Sequence, residues 1–193
     1  MVMTFFASPE EKWLLALAFG VKQIRSSDWV SADHVGIRIG DIQVRGAAAC
    51  LLAIEAAVPS PSLFPNGNVG MPVALLHWQR SMAATPSSSS GAVLANAELI
   101  TRQMHDGRPF LQGEHAGLAD IASASWLLPK KEQLPEQHSL LPWLDRMAAI
   151  AEADSNGPMT LRTSQLRDLE HHGILHIEAR DGVSHVSSPL DVE

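Results

Sequence analysis

A single cysteine, Cys50, stands in a chain of 193 residues, so no internal disulfide forms and a reducing compartment fits. Basic residues are scarce: 14 lysines and arginines face 21 aspartates and glutamates, a net charge of -7, and no basic run occurs. Nucleic acid is thereby set aside as the main partner. Long apolar runs are also missing. The longest early one, residues 13–19, follows Glu10, Glu11 and Lys12, is too short to span a bilayer and lacks signal-peptide flanks. There is no Gly-rich phosphate loop, no CxxC pair, no Ser-His-Asp order and no internal repeat. These absences leave an acidic, cytoplasmic, soluble protein with no membrane partner, long enough to bury one core or two small ones.

What the sequence does contain is organised around residues 107–126, GRPFLQGEHAGLADIASASW. Gly107, Pro109 and Gly113 punctuate its first half. From Leu118 onward, Leu118, Ile121, Ala122, Ser125 and Trp126 recur at helical spacing. With Gly117 as N-cap, Asp120 falls at the third helical position, where its carboxylate accepts backbone N–H bonds and complements the positive helix end. The pattern predicts a buried helix with an acidic start.

Before it, residues 2–6 read as a strand. SPEEKWLLALAFG reads as a helix with Ser8 at the N-cap, Pro9 at the first helical position, Glu11 closing a capping box and Gly20 as the stop. VKQIR is a candidate second strand, and HVGIRIGDIQVRG a hairpin turning at Gly40-Asp41. Residues 47–58 form an Ala/Leu-rich helix ending before Pro59. Residues 59–72 carry four prolines and two glycines, as a linker does. Helices are expected over residues 69–82, 93–104, 142–153 and 160–171, with the low-complexity TPSSSSG at 85–91 a loop. The tail ILHIEARDGVSHVS alternates around Asp181-Gly182, a second hairpin pattern.

The order β-α-β, then β-β-α, is the thioredoxin-like arrangement, and here the chain resembles the glutathione S-transferase superfamily. SPEEKWLLALAFGV is similar to the family's SPxSxKVRLALxxxG, and IGDIQVRGAAACLLAIEAAVPSPSLFP to its DGDxxIxESxAIxxYLExxYPxxxLFP. Pro109, Phe110, Leu111, Gly113, Leu118, Ala119 and Asp120 match the family's pFLxG…[ST][IL]AD segment, with Gly117 in place of its capping Ser/Thr. The resemblance implies an α/β thioredoxin-like N-terminal domain (residues 1–60), a linker (61–72), an all-α C-terminal domain (73–172) and a tail (173–193). The stretch before the first hairpin is short, so the family's second helix is reduced or absent. Homodimerisation through the family's third helix and the start of the helical domain is implied as well.

In the family a hydroxyl near the first helix lowers the thiol pKa of glutathione. A cis-proline before the third strand exposes a backbone edge, and a Glu/Gln–Ser pair at the third helix binds the γ-glutamyl group. Ser8 stands at the hydroxyl position, and two roles are open to it: thiol activation, or helix capping with Glu11. The proline position reads Val35-Gly36-Ile37-Arg38, and the Glu–Ser pair reads Arg45-Gly46. Arg45 inverts the charge that would face the ligand's ammonium, and Gly46 lacks the hydroxyl. Gly36, Ile37, Arg38, Arg45 and Gly46 are therefore expected to form a thiol or anion site, with Arg38, Arg45 and the helix N-terminus converging on an acid. The alternative is a decayed site with Arg45 solvated.

His77, Met104 and His105 are the candidate acceptor groove, by analogy with the family. Their other reading is core or interface. Glu170, His171, His172 and His176 resemble metal ligands by type, but Gly173 interrupts them, so no metal is expected. Cys50 reads as a buried, inert thiol. Three functions remain open: a divergent transferase with glutathione or another small thiol as co-substrate acting on a small-molecule electrophile, a non-catalytic scaffold or binding module, and a ligandin-type carrier.

Overall fold

Alternation builds the first strand, β1 (Met3–Ala7), whose Met3, Phe5 and Ala7 enter the core while Thr4 and Phe6 lie half-buried on the opposite face. The computed structural model describes residues 3–9, 11–24, 28–64, 90–104, 107–111, 113–153 and 161–191. Within them follow α1 (Lys12–Lys22), β2 (Asp28–Ser31), β3 (Gly36–Ile39), β4 (Ile42–Arg45), α2 (Ala47–Ala57), α3 (Ser90–Gln103), α4 (Leu118–Leu127), α5 (Leu141–Glu152), α6 (Thr163–His171), β5 (His176–Arg180) and β6 (Val183–Ser187).

The strands form one six-stranded sheet in the order β2-β1-β3-β4-β6-β5. β1 runs parallel to β2 and antiparallel to β3, and β3 and β4 are the hairpin expected around Gly40. One face of the sheet carries Phe5, Ile37, Val44 and Val186, all buried, with α1 packed on β1 and α2 on β3 and β4. Leu14, Leu15, Leu17 and Phe19 of α1 are almost wholly buried, each contributing about 1.5–3 kcal/mol. No helix separates β2 from β3, so the expected loss of the family's second helix is what the chain shows.

Several local expectations change. The regular helix α1 begins at Lys12 rather than just after Ser8, and it runs through Gly20 to Lys22. Gly20 does not stop it, because this glycine serves a crossing. A Cβ there would lie 2.0 Å from the Ile150 carbonyl oxygen of α5. The strand expected over VKQIR does not start there: Val21 and Lys22 close the helix, and Gln23 ends it in the left-handed region at φ 54°. Lys22 is buried and pairs with Glu55 of α2, which pins that last turn. The edge strand is instead Asp28–Ser31, too short and irregular to show a period. Ser90 and Gly91, expected in a loop, belong to α3. The final helix begins at Thr163. The helix expected over residues 69–82 lies outside the described residues, as do residues 65–72 of the linker.

The seam between sheet and helices is polar but satisfied. Glu55 accepts hydrogen bonds from the Ser62 hydroxyl (2.6 Å) and the Leu63 N–H (2.9 Å), and Leu63 in turn accepts the Leu118 N–H at the head of α4. Asp120 is fully buried there, receiving N–H bonds from Leu111 (2.8 Å), Gly117 (3.1 Å) and the Trp143 indole (3.1 Å). Burial pushes its carboxyl above the ordinary range, and the three donors pull the other way. Among the described residues no helix is long and apolar enough to cross a membrane.

The tail hairpin forms at Asp181-Gly182, both with positive φ as a tight primed turn requires. Its place was not foreseen. β6 adds parallel to β4, so the hairpin extends the N-terminal sheet instead of standing apart. Pairing covers the edge that β4 would otherwise leave open.

Candidate functional site

The carboxyl end of β1, the start of β3, the end of β4 and the head of α2 meet at one end of the sheet. The strand registers require this, since Phe6 pairs with Gly36 and Gly36 with Arg45. Ser8, the backbone at Val35 and Gly36, and Gly46 are therefore brought to one corner. The chain has no tyrosine, so hydroxyls in this corner come from serine or threonine alone.

The Ser8 hydroxyl is engaged. It donates to the Glu11 carboxylate at 2.8 Å, while the Glu11 N–H bonds back to it at 3.2 Å. This closes the turn that leads into α1. Gly36 follows Val35 through an ordinary trans bond, and the Val35 carbonyl accepts the Gly46 N–H at 2.8 Å. The backbone edge on that side is spent on the fold.

The expected convergence of Arg38, Arg45 and the helix N-terminus does not occur. Ile37, expected in the site, is fully buried in the core, and so is Val44. Strict alternation then turns Arg38 and Arg45 to the other face, away from α2, where both are exposed. Arg38 lies opposite Gln43, two residues along from the Gly36–Arg45 pair, about 7 Å by strand rise. The sheet itself separates the guanidinium groups from the helix end.

The head of α2 nevertheless holds an anion, and it is one that the sequence reading missed. Asp191, from the segment after β6, accepts the Ala48 N–H at 2.7 Å and the Ala49 N–H at 3.0 Å. This is the carboxylate geometry that a helix N-terminus favours. Gly46 permits it in two ways. Its φ of 96° belongs to glycine, and a Cβ there would lie 2.1 Å from the Asp191 carboxylate oxygen. No signal near Ala49 could have revealed a partner 142 residues away.

Replacing Gly46 by serine is expected to cost about 3 kcal/mol, combining left-handed strain with overlap on Asp191. In an Asp191→Ala background the carboxylate overlap is gone but the residue-191 Cβ still lies 2.7 Å away, so a smaller cost of about 2 kcal/mol remains. Thermal melts of the four proteins in this cycle measure the difference. Equal costs in both backgrounds would show that Asp191 does not fill the space.

The remaining candidates stand apart. Cys50 is buried in the first turn of α2, where desolvation and then the Asp191 charge push its thiol well above the ordinary range. Such a thiol is inert. Met104 lines a cavity of about 350 Å³, but the other walls come from residues 101, 107–109 and 139–146, all in the helical part. That cavity includes nothing from the Ser8 corner. His77 and His105 lie outside the described residues. His171 and His172 meet edge to face at 5.7 Å, while His176 opens β5 beyond the positive-φ Gly173. Among the described residues no three His, Cys, Asp or Glu side chains are grouped for a metal.

No family model matches the chain. No curated protein sequence matches it either. Solved structures do. A maleylacetoacetate isomerase from Anaeromyxobacter dehalogenans with bound glutathione superposes with a TM-score of 0.54 at 15% identity, over 77% of this chain and 90% of that one. A Tau class glutathione S-transferase from mango gives 0.58 at 16%, over 89% and 98%. FzlA from C. crescentus gives 0.63 at 14%, over 86% and 98%. The chain has the glutathione S-transferase fold, a thioredoxin-like α/β part followed by helices.

Proposed function

We propose that the protein is a divergent glutathione S-transferase-like enzyme that joins a thiol to a small electrophile, or uses the thiol in a related elimination or isomerisation. The observation that supports this reading best is the corner where Ser8 and the carboxylate position at the head of α2 lie together. In it, the backbone N–H groups of Ala48 and Ala49, once Asp191 has left them, hold a carboxylate of the thiol compound. The Ser8 hydroxyl, released from Glu11, donates to the sulfur and favours the thiolate, whose proton passes to solvent. The thiolate then attacks the electrophilic carbon. A C–S bond forms and the leaving group departs with its electron pair. The reaction class comes by analogy from neighbours of the same fold, among them an isomerase with bound glutathione. Small molecules are the partners in this reading, and the protein is a cytoplasmic homodimer, which light scattering tests directly.

A second reading is a non-catalytic binding module or ligandin-type carrier. It is favoured by the Ser8 hydroxyl being already committed to Glu11. Substitution of Ser8 by alanine separates the two. For the enzyme, kcat/KM with glutathione and an activated aryl halide falls by about 100-fold, while stability drops by only about 1 kcal/mol. If the unmodified protein turns nothing over and Ser8→Ala changes only the melting temperature, the binding-module reading holds.

A further inference from the structure

We propose that residues 188–191 form an autoinhibitory latch, in which the Asp191 carboxylate occupies the head of α2 as an internal ligand that an incoming carboxylate must displace. The inference rests on the thiol-site reading above and adds its regulation.

Helix ends are ordinarily capped by their own sequence. Here α2 has none of that: Gly46 offers no side chain, and no acidic residue stands in the first turn. The two N–H groups are left bare by the local sequence and filled from 142 and 143 residues away. Gly46 keeps open the space that the carboxylate enters. The position therefore takes a carboxylate from outside the helix's own sequence.

The latch is also built to leave without dismantling the fold. Sheet pairing ends with His176 opposite Ser187, before the latch begins. Residues 188–191 fold on a local turn, with the Leu190 N–H on the Ser188 hydroxyl (3.2 Å) and the Asp191 N–H on the Ser188 carbonyl (3.0 Å). The Ser188 hydroxyl is tied to the Ile174 carbonyl at 2.7 Å, which anchors the turn at its hairpin end. For Asp191 to swing out only the 188–191 turn, with Leu190 packed against the core, has to give way, and the β5–β6 pairing lies outside it.

The test compares the full chain with Asp191→Ala and Asp191→Asn, using two probes: reduced glutathione by calorimetry and inorganic phosphate by thermal shift. Asp191→Asn keeps the size and a hydrogen-bond acceptor, so it reports even where the alanine variant folds poorly. The expected result is glutathione binding at least about tenfold tighter in Asp191→Ala, with Asp191→Asn between it and the unmodified chain. Phosphate should stabilise the variants beyond the general salt effect seen in the unmodified protein. If glutathione binds none of the three while phosphate stabilises only the variants, the latch stands and the thiol-site reading falls. Equal responses of all three proteins to both probes overturn the latch, whether or not glutathione binds.

Discussion

Asp120→Ala is expected to lose about 4 kcal/mol of stability and lower the melting temperature by roughly 10 °C. Three N–H donors converge on this one carboxylate: the Leu111 and Gly117 backbones and the Trp143 indole. Asp120 and Trp143 are both buried, so truncation strands donors where water does not replace the lost acceptor. The loss is a large share of a typical total of about 10 kcal/mol. Asp120→Asn should cost less, about 2 kcal/mol. Its oxygen still accepts from Leu111 and Trp143, but its amide then faces the Gly117 N–H as a second donor. Chemical denaturation of the two variants checks the order. Losses below about 1 kcal/mol in both would mean that Asp120 does not hold the 107–120 segment to α4 and α5.

Gly20→Ala separates packing from propensity by the sign of its effect. In an exposed helix interior, alanine for glycine stabilises by about 1 kcal/mol. In α1 the new Cβ would sit 2.0 Å from the Ile150 carbonyl oxygen and 2.7 Å from its carbon. Those are backbone atoms, so no side chain can rotate aside, and α1 and α5 must move apart along the seam that joins sheet to helices. A net loss of about 3 kcal/mol is expected, read as a lower urea midpoint with unchanged slope. A stabilised Gly20→Ala protein would show that the helices do not cross this closely.

Both residues stand in segments that the sequence marked, but only one of their roles was readable there. Asp120 announced itself because a helix start is a local event: the Gly break, the apolar spacing from Leu118 and the acid at the third position lie within a few residues. The two hairpins were legible for the same reason, since Gly40-Asp41 and Asp181-Gly182 supply the turn chemistry themselves. Gly20 was misread as a stop, because a glycine that ends a helix and one that admits a neighbouring helix look alike in one dimension. Arg38 and Arg45 were misplaced because counting residues says nothing of which face a strand turns to α2 until Ile37 and Val44 are known to be buried.

The sequence by itself determined β1, the helix after it, the two hairpins, α2 and the buried Asp120 at the start of α4, because spacing, capping and turn residues act over short distances. Tertiary structure alone decided what occupies the candidate site. Adding β6 to β4 carries Asp191 across the sheet to the head of α2, and the same docking leaves Gly46 no room for a side chain. That contact joins residues 142 positions apart, and its energy exists only once both ends are folded together.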